Sequence, residues 1–327
     1  MDIAVTGAHG FVGLNVVRTL AEQGHTVYAI GRSAPDQWVT AFLDGLHGVQ
    51  HLVADVSKPG ELTGALGGQS LDAVVHAAVV TATTLQVERE DAARIVHVNT
   101  GGTIEALEAA KSSGATRFVY VSSPSAIGNA TADATMDEAI EKRPDSLYGI
   151  SKDASEEITR RYGRLHGLSV ASVRIAQPYG PGERATASRV RTSPIYEWIL
   201  DVEAGRELPA GPLDRSRDWT YIDDTARGIA ELATAEILNH DLYHLARSAP
   251  VTVGEVIEQI RAAYPDIYWN ENPASEDLNP NIAGSSARKP LDSSRFGAEF
   301  GWAPETGIVD GMRRYLGWWK TFPVSGS

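Results

Sequence analysis

Thr6-Gly7-Ala8-His9-Gly10-Phe11-Val12-Gly13 follows the apolar run Ile3-Ala4-Val5 directly and leads into an amphipathic stretch that ends near Gln23. This order reads as a strand, a tight turn and a helix. Glycines at 7, 10 and 13 let the chain turn sharply and let its backbone approach a pyrophosphate, whose charge is met by the N-terminal end of the helix. The stretch predicts a parallel α/β sheet with a dinucleotide bound at its first turn. Gly7, Gly10, Phe11, Val12 and Gly13 are its expected contacts, while His9 could approach a cofactor phosphate but reads first as an exposed residue of the loop.

Outward from that turn the alternation continues. Apolar, β-branched runs at 26–30, 49–54, 71–78, 117–122 and 168–175 alternate with helical stretches, among them about 91–113 and 148–166. Strands that read as continuous apolar runs between helices predict a sheet covered on both faces and joined by right-handed crossovers. The expected fold class is α/β, a doubly wound parallel (Rossmann) sheet with a smaller C-terminal substrate-binding domain. After Gln177 the texture breaks at Pro178, Gly180, Pro181 and Gly182. A strand end and helix return over 220–235. The dinucleotide-binding domain is therefore expected to comprise 1–177 plus about 216–240, and the substrate-binding domain 178–215 plus about 241–327. Residues 272–286 read as a mobile loop or, equally, as an ordinary connector. Arg288 and the Asp292 to Arg295 pair could close over the substrate but read first as a structural salt link, and Trp302, Trp318 and Trp319 read as packing residues.

Composition narrows the function. With 327 residues and 43% hydrophobic content the chain can fill a sizeable core, and a net charge of −13 repels nucleic acid and anionic membrane surfaces alike. Neither is an expected partner. No cysteine is present, so thiolate nucleophiles, disulfides and Cys-based metal sites are excluded. The nine histidines form no His-x-x-x-His pair, and no metal is expected. No charged leader and no membrane-length apolar run is read, which points to the cytoplasm.

The end of the second strand discriminates between cofactors, because an acid there binds the ribose 2′-hydroxyl and repels a 2′-phosphate. Here it reads Ile30-Gly31-Arg32-Ser33. Arg32 and Ser33 suit a phosphate through charge and hydroxyl, so NADP(H) is favoured; NAD(H) stays open, since Arg32 could equally stack on adenine. Asp55, followed by Val56, is placed to accept from the adenine amine, and an Asp at a strand end is also a common turn residue.

Tyr148-Gly149-Ile150-Ser151-Lys152 sets a phenol and an ammonium four residues apart on one face of a helix. A free phenol titrates near about pH 10, and a nearby cation favours the phenolate, bringing it toward proton exchange at neutral pH. Ser123 closes a strand at the sheet's carboxyl edge, where its hydroxyl can bond the same substrate oxygen. Hydride transfer at a carbonyl needs such a set.

Taken together, the glycine loop, the Ser-Ser-Pro-Ser run ending at Ser125 and Tyr148-x-x-x-Lys152 resemble the extended short-chain dehydrogenase/reductase family, which includes NAD-dependent sugar epimerases and dehydratases. Val75-His76-Ala77-Ala78, Asn99-Thr100-Gly101-Gly102-Thr103, Arg174 to Gly182, Arg217 to Asp224 and Gly301-Trp302-Ala303-Pro304 extend the likeness over nearly the whole chain. It implies Ser123, Tyr148 and Lys152 as the catalytic set, with Lys152 also holding the nicotinamide ribose. Ile175 and Pro178 would lie by the nicotinamide, Ala77, Ala78 and Asn99 would serve the cofactor, and the helices bearing Asn99 and Tyr148 would form a homodimer.

Departures from the family pattern bear on the substrate. Dehydratases carry an Asp-Glu pair after the catalytic hydroxyl and UDP-glucuronate decarboxylases a Glu, whereas Pro124 and Ser125 stand here. Elimination and decarboxylation are therefore not expected. Gln177 replaces the usual Asn, and Ala210-Gly211-Pro212-Leu213-Asp214-Arg215 replaces a Gly-Asp-Gly stretch, which weakens a UDP-sugar assignment. Arg184, Arg189, Arg191, Arg215 and Arg217 suit an anionic substrate group, or pair internally with Glu183, Glu197 or Asp214. Ser125, Gln177, Arg189, Arg191 and Arg217 are the expected substrate contacts. The function expected is NAD(P)-dependent hydride transfer on a sugar or sugar derivative, of epimerase or oxidoreductase type. The competing readings are an NADP(H) reductase or dehydrogenase of a smaller alcohol or ketone, and an NADP sensor without chemistry, which needs neither Tyr148 nor Lys152.

Overall fold

Successive residues of a strand face opposite ways, and in Asp2–Thr6 both sets are buried. Ile3 and Val5 pack with Leu14, Val17, Ile229 and Ala233, while Ala4 packs on the other face with Tyr28, Ala106, Ala110 and Phe118. Such a strand has to lie inside a covered sheet. The computed structural model describes residues 1–81, 84–129, 135–189, 191–283 and 289–322. Seven parallel strands run in the order Leu242–Leu245, Ser169–Ile175, Arg117–Ser122, Ala73–His76, Asp2–Thr6, Thr26–Gly31 and Val49–Val53. The chain's direction across the sheet reverses between Asp2–Thr6 and Ala73–His76, which opens a crevice at their carboxyl ends. The fold is the doubly wound Rossmann type.

Three features differ from the sequence reading. The apolar run at 71–78 yields only the strand Ala73–His76, because Ala77 turns to donate its N–H to Thr6 O (3.2 Å) beside the glycine loop. The helix at 91–113 is a broken one: Ala92–Val96, a π-helical turn at His97–Gly101, then Gly102–Ser112. The chain also does not leave the sheet at about 240. Leu242–Leu245 pairs with Ser172 to Ile175, and Phe296 and Trp302 join the core beneath the sheet. Four residues carry too little alternation to be read as a strand without their partner.

A second core gathers Tyr179, Ile195, Trp198, Trp219, Ile257 and Tyr315, built chiefly on the helices Pro194–Glu203, Val253–Ala263 and Ile308–Thr321. An aromatic seam joins it to the first unit: Trp38 stacks on Phe42, and Trp318 and Phe322 meet them edge-on. Residues 272–283 are held, since Asn279 donates to Thr192 O (3.1 Å) and Glu197 (2.7 Å); 284–286 and Arg288 lie outside the described residues. Among the described residues no helix is long and apolar enough to cross a membrane.

The helix Leu147–His166 is locked to the strand Ser169–Ile175 by a buried ion pair. Glu156 and Arg174, both 0% exposed, meet at 2.7 Å, and Ser122 Oγ donates to the same carboxylate at 2.6 Å. Arg174 Nη1 also reaches His244 Nε2 at 3.3 Å; arginine only donates, so Nε2 accepts and the ring proton sits on Nδ1, facing Met136 O at 3.2 Å. Burial, then the Arg174 charge, takes His244 down to about 3, and burial takes His76 to about 3 as well.

Both histidines fold neutral, with pKa values below the unfolded 6.5, so their stabilising effect is full above pH 6.5 and is lost as pH falls toward 3. The urea midpoint should drop between about pH 7 and 5, and His244→Asn should narrow that drop. Glu156→Gln leaves Arg174 buried without its counter-charge and should destabilise by about 3–5 kcal/mol in the same assay.

Candidate active site

The strand ends converge on one cleft of about 1020 Å³. At its floor Gly7 adopts φ +67°, and a Cβ there would sit 2.7 Å from Ala78 N; a Cβ at Gly13 would sit 2.3 Å from Gly7 O. Loop and helix therefore approach each other as closely as backbone allows. The helix Phe11–Glu22 starts at Gly10 with no side-chain cap, so its first N–H groups are left for another acceptor. A backbone cradle that any Cβ would fill, opening on an uncapped helix end, fits a dinucleotide pyrophosphate.

Gly7, Gly10, Phe11, Val12, Gly13, Arg32, Ser33, Asp55, Val56, Ala77, Ala78, Ile175 and Pro178 all line this cleft, together with Ser123, Tyr148, Lys152, Ser125, Gln177, Arg189 and Arg191. Asn99 and Arg217 do not. Asn99 accepts from Val80 N (2.8 Å) and donates to Val80 O (3.1 Å) and Ser151 Oγ (3.0 Å), so its amide is taken up in fixing the Val80 segment to the Tyr148 helix. Its bearing on a cofactor is through Val80, which does line the cleft. Arg217 donates to the carbonyls of Asn281 (2.7 Å) and Ile282 (3.2 Å). Asp55 accepts from Ser57 N (2.9 Å) and Oγ (2.7 Å), the turn role foreseen for it; burial alone would raise its pKa, but these bonds and the Arg32 charge bring it down.

The arginine cluster takes the internally paired form. Arg189 bonds Glu183 at 2.7 Å, Arg191 bonds Glu197 at 3.1 Å, and Arg184 bonds Asp36 at 2.6 Å. Glu183 also accepts from Ser193 N (2.7 Å) and Oγ (2.6 Å); burial raises its pKa against the pull of Arg189. Gln177 Nε2, by contrast, is a buried donor on this wall with no partner among the described residues.

Ser123, just past the strand Arg117–Ser122, and Tyr148 and Lys152, one helical turn apart, share one wall. Ser123 Oγ accepts from Ser125 N at 3.2 Å. Desolvation raises the Tyr148 phenol above its usual value, while the hydrogen bond to Ser123 and the charge of Arg189 pull it down. Lys152, expected from its spacing to act on the phenol, is held beside it. Its Nζ donates to Val121 O at 2.7 Å, lies 4.7 Å from the Tyr120 ring centre and 5.9 Å from that of Tyr148, and burial takes it down to about 7 against the pull of Glu156. Ser123 and Arg189, which do tune Tyr148, were both read from the sequence for other roles, whereas the Glu156 carboxylate near Lys152 carries no local sequence signal. Thr186 and Asn281 also line the cleft without having been singled out for it, as do His9 and Arg184, which had been weighed.

A family model described as "NAD dependent epimerase/dehydratase family" matches residues 3–246. The chain is 30% identical to a dTDP-glucose 4,6-dehydratase of Streptomyces griseus over 99% of this chain and 98% of that one. It is 26% identical to a UDP-glucuronate 4-epimerase of Thermodesulfobacterium geofontis, over 97% and 95%. Among solved structures, a UDP-glucuronic acid 4-epimerase from Bacillus cereus in complex with UDP-glucuronic acid and NAD shares the fold, with TM-score 0.82 at 22% identity over 98% of this chain and 99% of that one.

Gly13→Ala forces its methyl group against Gly7 O and has to open the loop. Dinucleotide affinity, read by calorimetric titration, should fall at least about tenfold while the circular dichroism spectrum stays that of the wild type.

Proposed function

Since this chain belongs to the NAD dependent epimerase/dehydratase family, we propose that its cleft carries out reversible hydride transfer at a secondary alcohol carbon of a sugar or sugar derivative, with Ser123, Tyr148 and Lys152 as the catalytic set. The chain is an NAD(P)-dependent enzyme of the extended short-chain dehydrogenase/reductase type. The observation that carries the residue assignment is the meeting of a phenol, its hydroxyl partner and a buried amine on one wall of the glycine-loop cleft.

The dinucleotide, when bound, supplies the hydride donor or acceptor. Tyr148 moves the proton. Desolvation holds the phenol protonated at neutral pH, the form that donates to a carbonyl oxygen, and the Ser123 bond with the Arg189 charge limits how far its pKa is pushed up. Ser123 Oγ polarises the same substrate oxygen, and Lys152 offers a donor beside Tyr148 for the nicotinamide ribose. Gln177 Nε2 supplies a substrate hydrogen bond on the opposite lining. Asp55 is the one carboxylate among the described lining residues, and it stands at the end of the third strand. With Pro124 and Ser125 following Ser123 in place of a carboxylate pair, the reaction ends at hydride and proton transfer and does not proceed to elimination.

The pairing of Arg189 with Glu183 and of Arg191 with Glu197 lowers the positive charge of the substrate wall. That favours a neutral polyhydroxylated group near the reacting carbon, any anionic group being met by the outer guanidinium edges. Arg32 and Ser33, with no carboxylate at the end of the second strand, favour NADP(H). If NADP(H) exchanges at each turnover, the same residues serve a net reductase or dehydrogenase of a smaller alcohol or ketone. Val96, Ile104 and Ile150, exposed at 42, 44 and 47% on the helices that carry Asn99 and Tyr148, support a homodimer through those helices.

Tyr148→Phe should lower kcat by about 10²–10⁴-fold and leave the dinucleotide Kd within about threefold. A protein whose turnover survives that change does not use the phenol. Mass spectrometry of the dinucleotide released on denaturation separates the two modes. Retained stoichiometric cofactor marks an epimerase, and an empty protein that binds NADPH better than NADH marks a net oxidoreductase.

A further inference from the structure

Residues 183–189 run out from the second core and cross the mouth of the cleft. At the base, Glu183 accepts from Ser193 N (2.7 Å) and Oγ (2.6 Å), which pins it to the start of the helix Pro194–Glu203. At the tip, Thr186 and Arg189 exchange two backbone hydrogen bonds, each of 3.0 Å. The segment is thus a self-bonded unit on a fixed base. Its outward contacts fall on either side of the glycine loop. Arg184 bonds Asp36 at 2.6 Å and stacks 4.6 Å from the Trp38 ring centre, both in the segment that follows the strand Thr26–Gly31. On the far side Thr81 N, beyond the strand Ala73–His76, donates to Ser188 O at 3.1 Å. The strand Asp2–Thr6 lies between those two, so the segment crosses two strand spacings, about 10 Å, over the turn that follows it. Arg184, Thr186, Ala187, Ser188 and Arg189 line the cleft, whereas Asp36 and Trp38 stay outside its described lining.

We propose that residues 183–189 are a flap over the bound dinucleotide, and that the grip of Asp36 and Trp38 on Arg184 is the latch that sets how often it opens. The inference rests on the dinucleotide reading of the cleft and deepens it, since the latch governs whether the cofactor stays through many turnovers or leaves after each. The unequal strength of the two ends supports it. Glu183 is wholly buried at the base, where breaking its bonds strands a carboxylate out of reach of water. The latch is weak by comparison. Arg184 and Asp36 are 23% and 54% exposed, an ion pair that solvent largely screens, and one guanidinium stacked on an indole adds a contribution of the same small order. A firm base and a weak latch make a hinged element that opens at the Asp36 side.

The latch has a kinetic signature of its own. Its bonds run between protein groups alone, so they hold the flap down whether the cleft is empty or filled. Loosening them speeds entry and exit by the same factor and leaves the equilibrium affinity almost where it was. A side chain that touched the cofactor would act otherwise, because losing it speeds exit and weakens affinity together.

The test follows the fluorescence of NADPH and of NADH by stopped flow on full-length, dinucleotide-free protein. Entry is read from the concentration dependence of binding, and exit from displacement by excess NADP⁺ or NAD⁺. Two variants loosen the latch by different means. Asp36→Asn removes the charge and keeps an acceptor for Val39 N, which caps the helix Gln37–Phe42. Trp38→Leu removes the stacked ring and changes no charge, so it separates gating from any change in the field of the cleft. Each should raise both the entry and the exit rate by about threefold or more and leave Kd within about twofold. Rates equal to those of wild type in both variants overturn the flap and leave the dinucleotide reading standing. Faster exit with unchanged entry and an equally weaker Kd overturns it too, since Asp36 and Trp38 then belong to the binding surface. A wild type that binds neither dinucleotide removes the cofactor reading itself.

Discussion

Glu156 holds a carboxylate where no water reaches, and the geometry of the catalytic wall depends on how that carboxylate is shared. It sits one helical turn beyond Lys152, accepts from Arg174 on the strand Ser169–Ile175 and from Ser122 at the end of the strand Arg117–Ser122, and bears on the charge of Lys152. A helix can slide along or rotate on an apolar sheet at modest cost. A buried ion pair with two further hydrogen bonds permits one position only, because any shift strands a charge. The height of Tyr148 above the sheet follows from a residue that never meets the substrate.

The opposite wall is built by the same economy of paired groups. Glu183 is buried, and Arg189 with the backbone and hydroxyl of Ser193 holds it, which fixes the start of the helix Pro194–Glu203. Arg189 in turn lies 5.4 Å from the Phe11 ring centre, at the first residue of the cofactor helix. Asn15, on that helix, donates to Pro181 O at 3.0 Å, and Arg18 pairs with Asp223. The loop that turns toward the substrate is thus tied at several points to the helix that starts the cofactor site, so the two halves of the cleft keep one spacing.

The fold was legible because its signals are local. Ile3-Ala4-Val5 and the glycines that follow state strand, turn and helix within eleven residues, and the β-branched runs repeat that statement along the chain. The helices Gln37–Phe42 and Glu61–Leu66 escaped because six residues span less than two turns and cannot display a period. The strand Leu242–Leu245 escaped because its identity comes from Ser169–Ile175, which lies about 70 residues away. At the site, residue types were readable and partnerships were not. Tyr148 and Lys152 announce themselves by spacing, but nothing in the order of residues says that Lys152 turns to Val121 O or that Asn99 turns to Val80. Arg189 and Arg191 were read as surplus positive charge with internal pairing as the alternative, and only contacts across the fold decide for the pairing.

The π-helical turn at His97–Gly101 puts one residue more into the helix than its regular period accommodates. Thr103 Oγ and Ser155 Oγ both bond the Asn99 carbonyl there, which caps the widened turn from within. An α-helix rotates about 100° per residue, so the surplus acts as a phase shifter between two faces that answer to different demands. Downstream, Thr103, Ala106, Leu107 and Ala110 stay in register with the sheet. Upstream, Ala93, Arg94 and His97 face the cleft. A lineage that lost the extra residue would keep its core and swing its upstream face away from the ligand, so the length of this helix, counted in single residues, is part of the binding site.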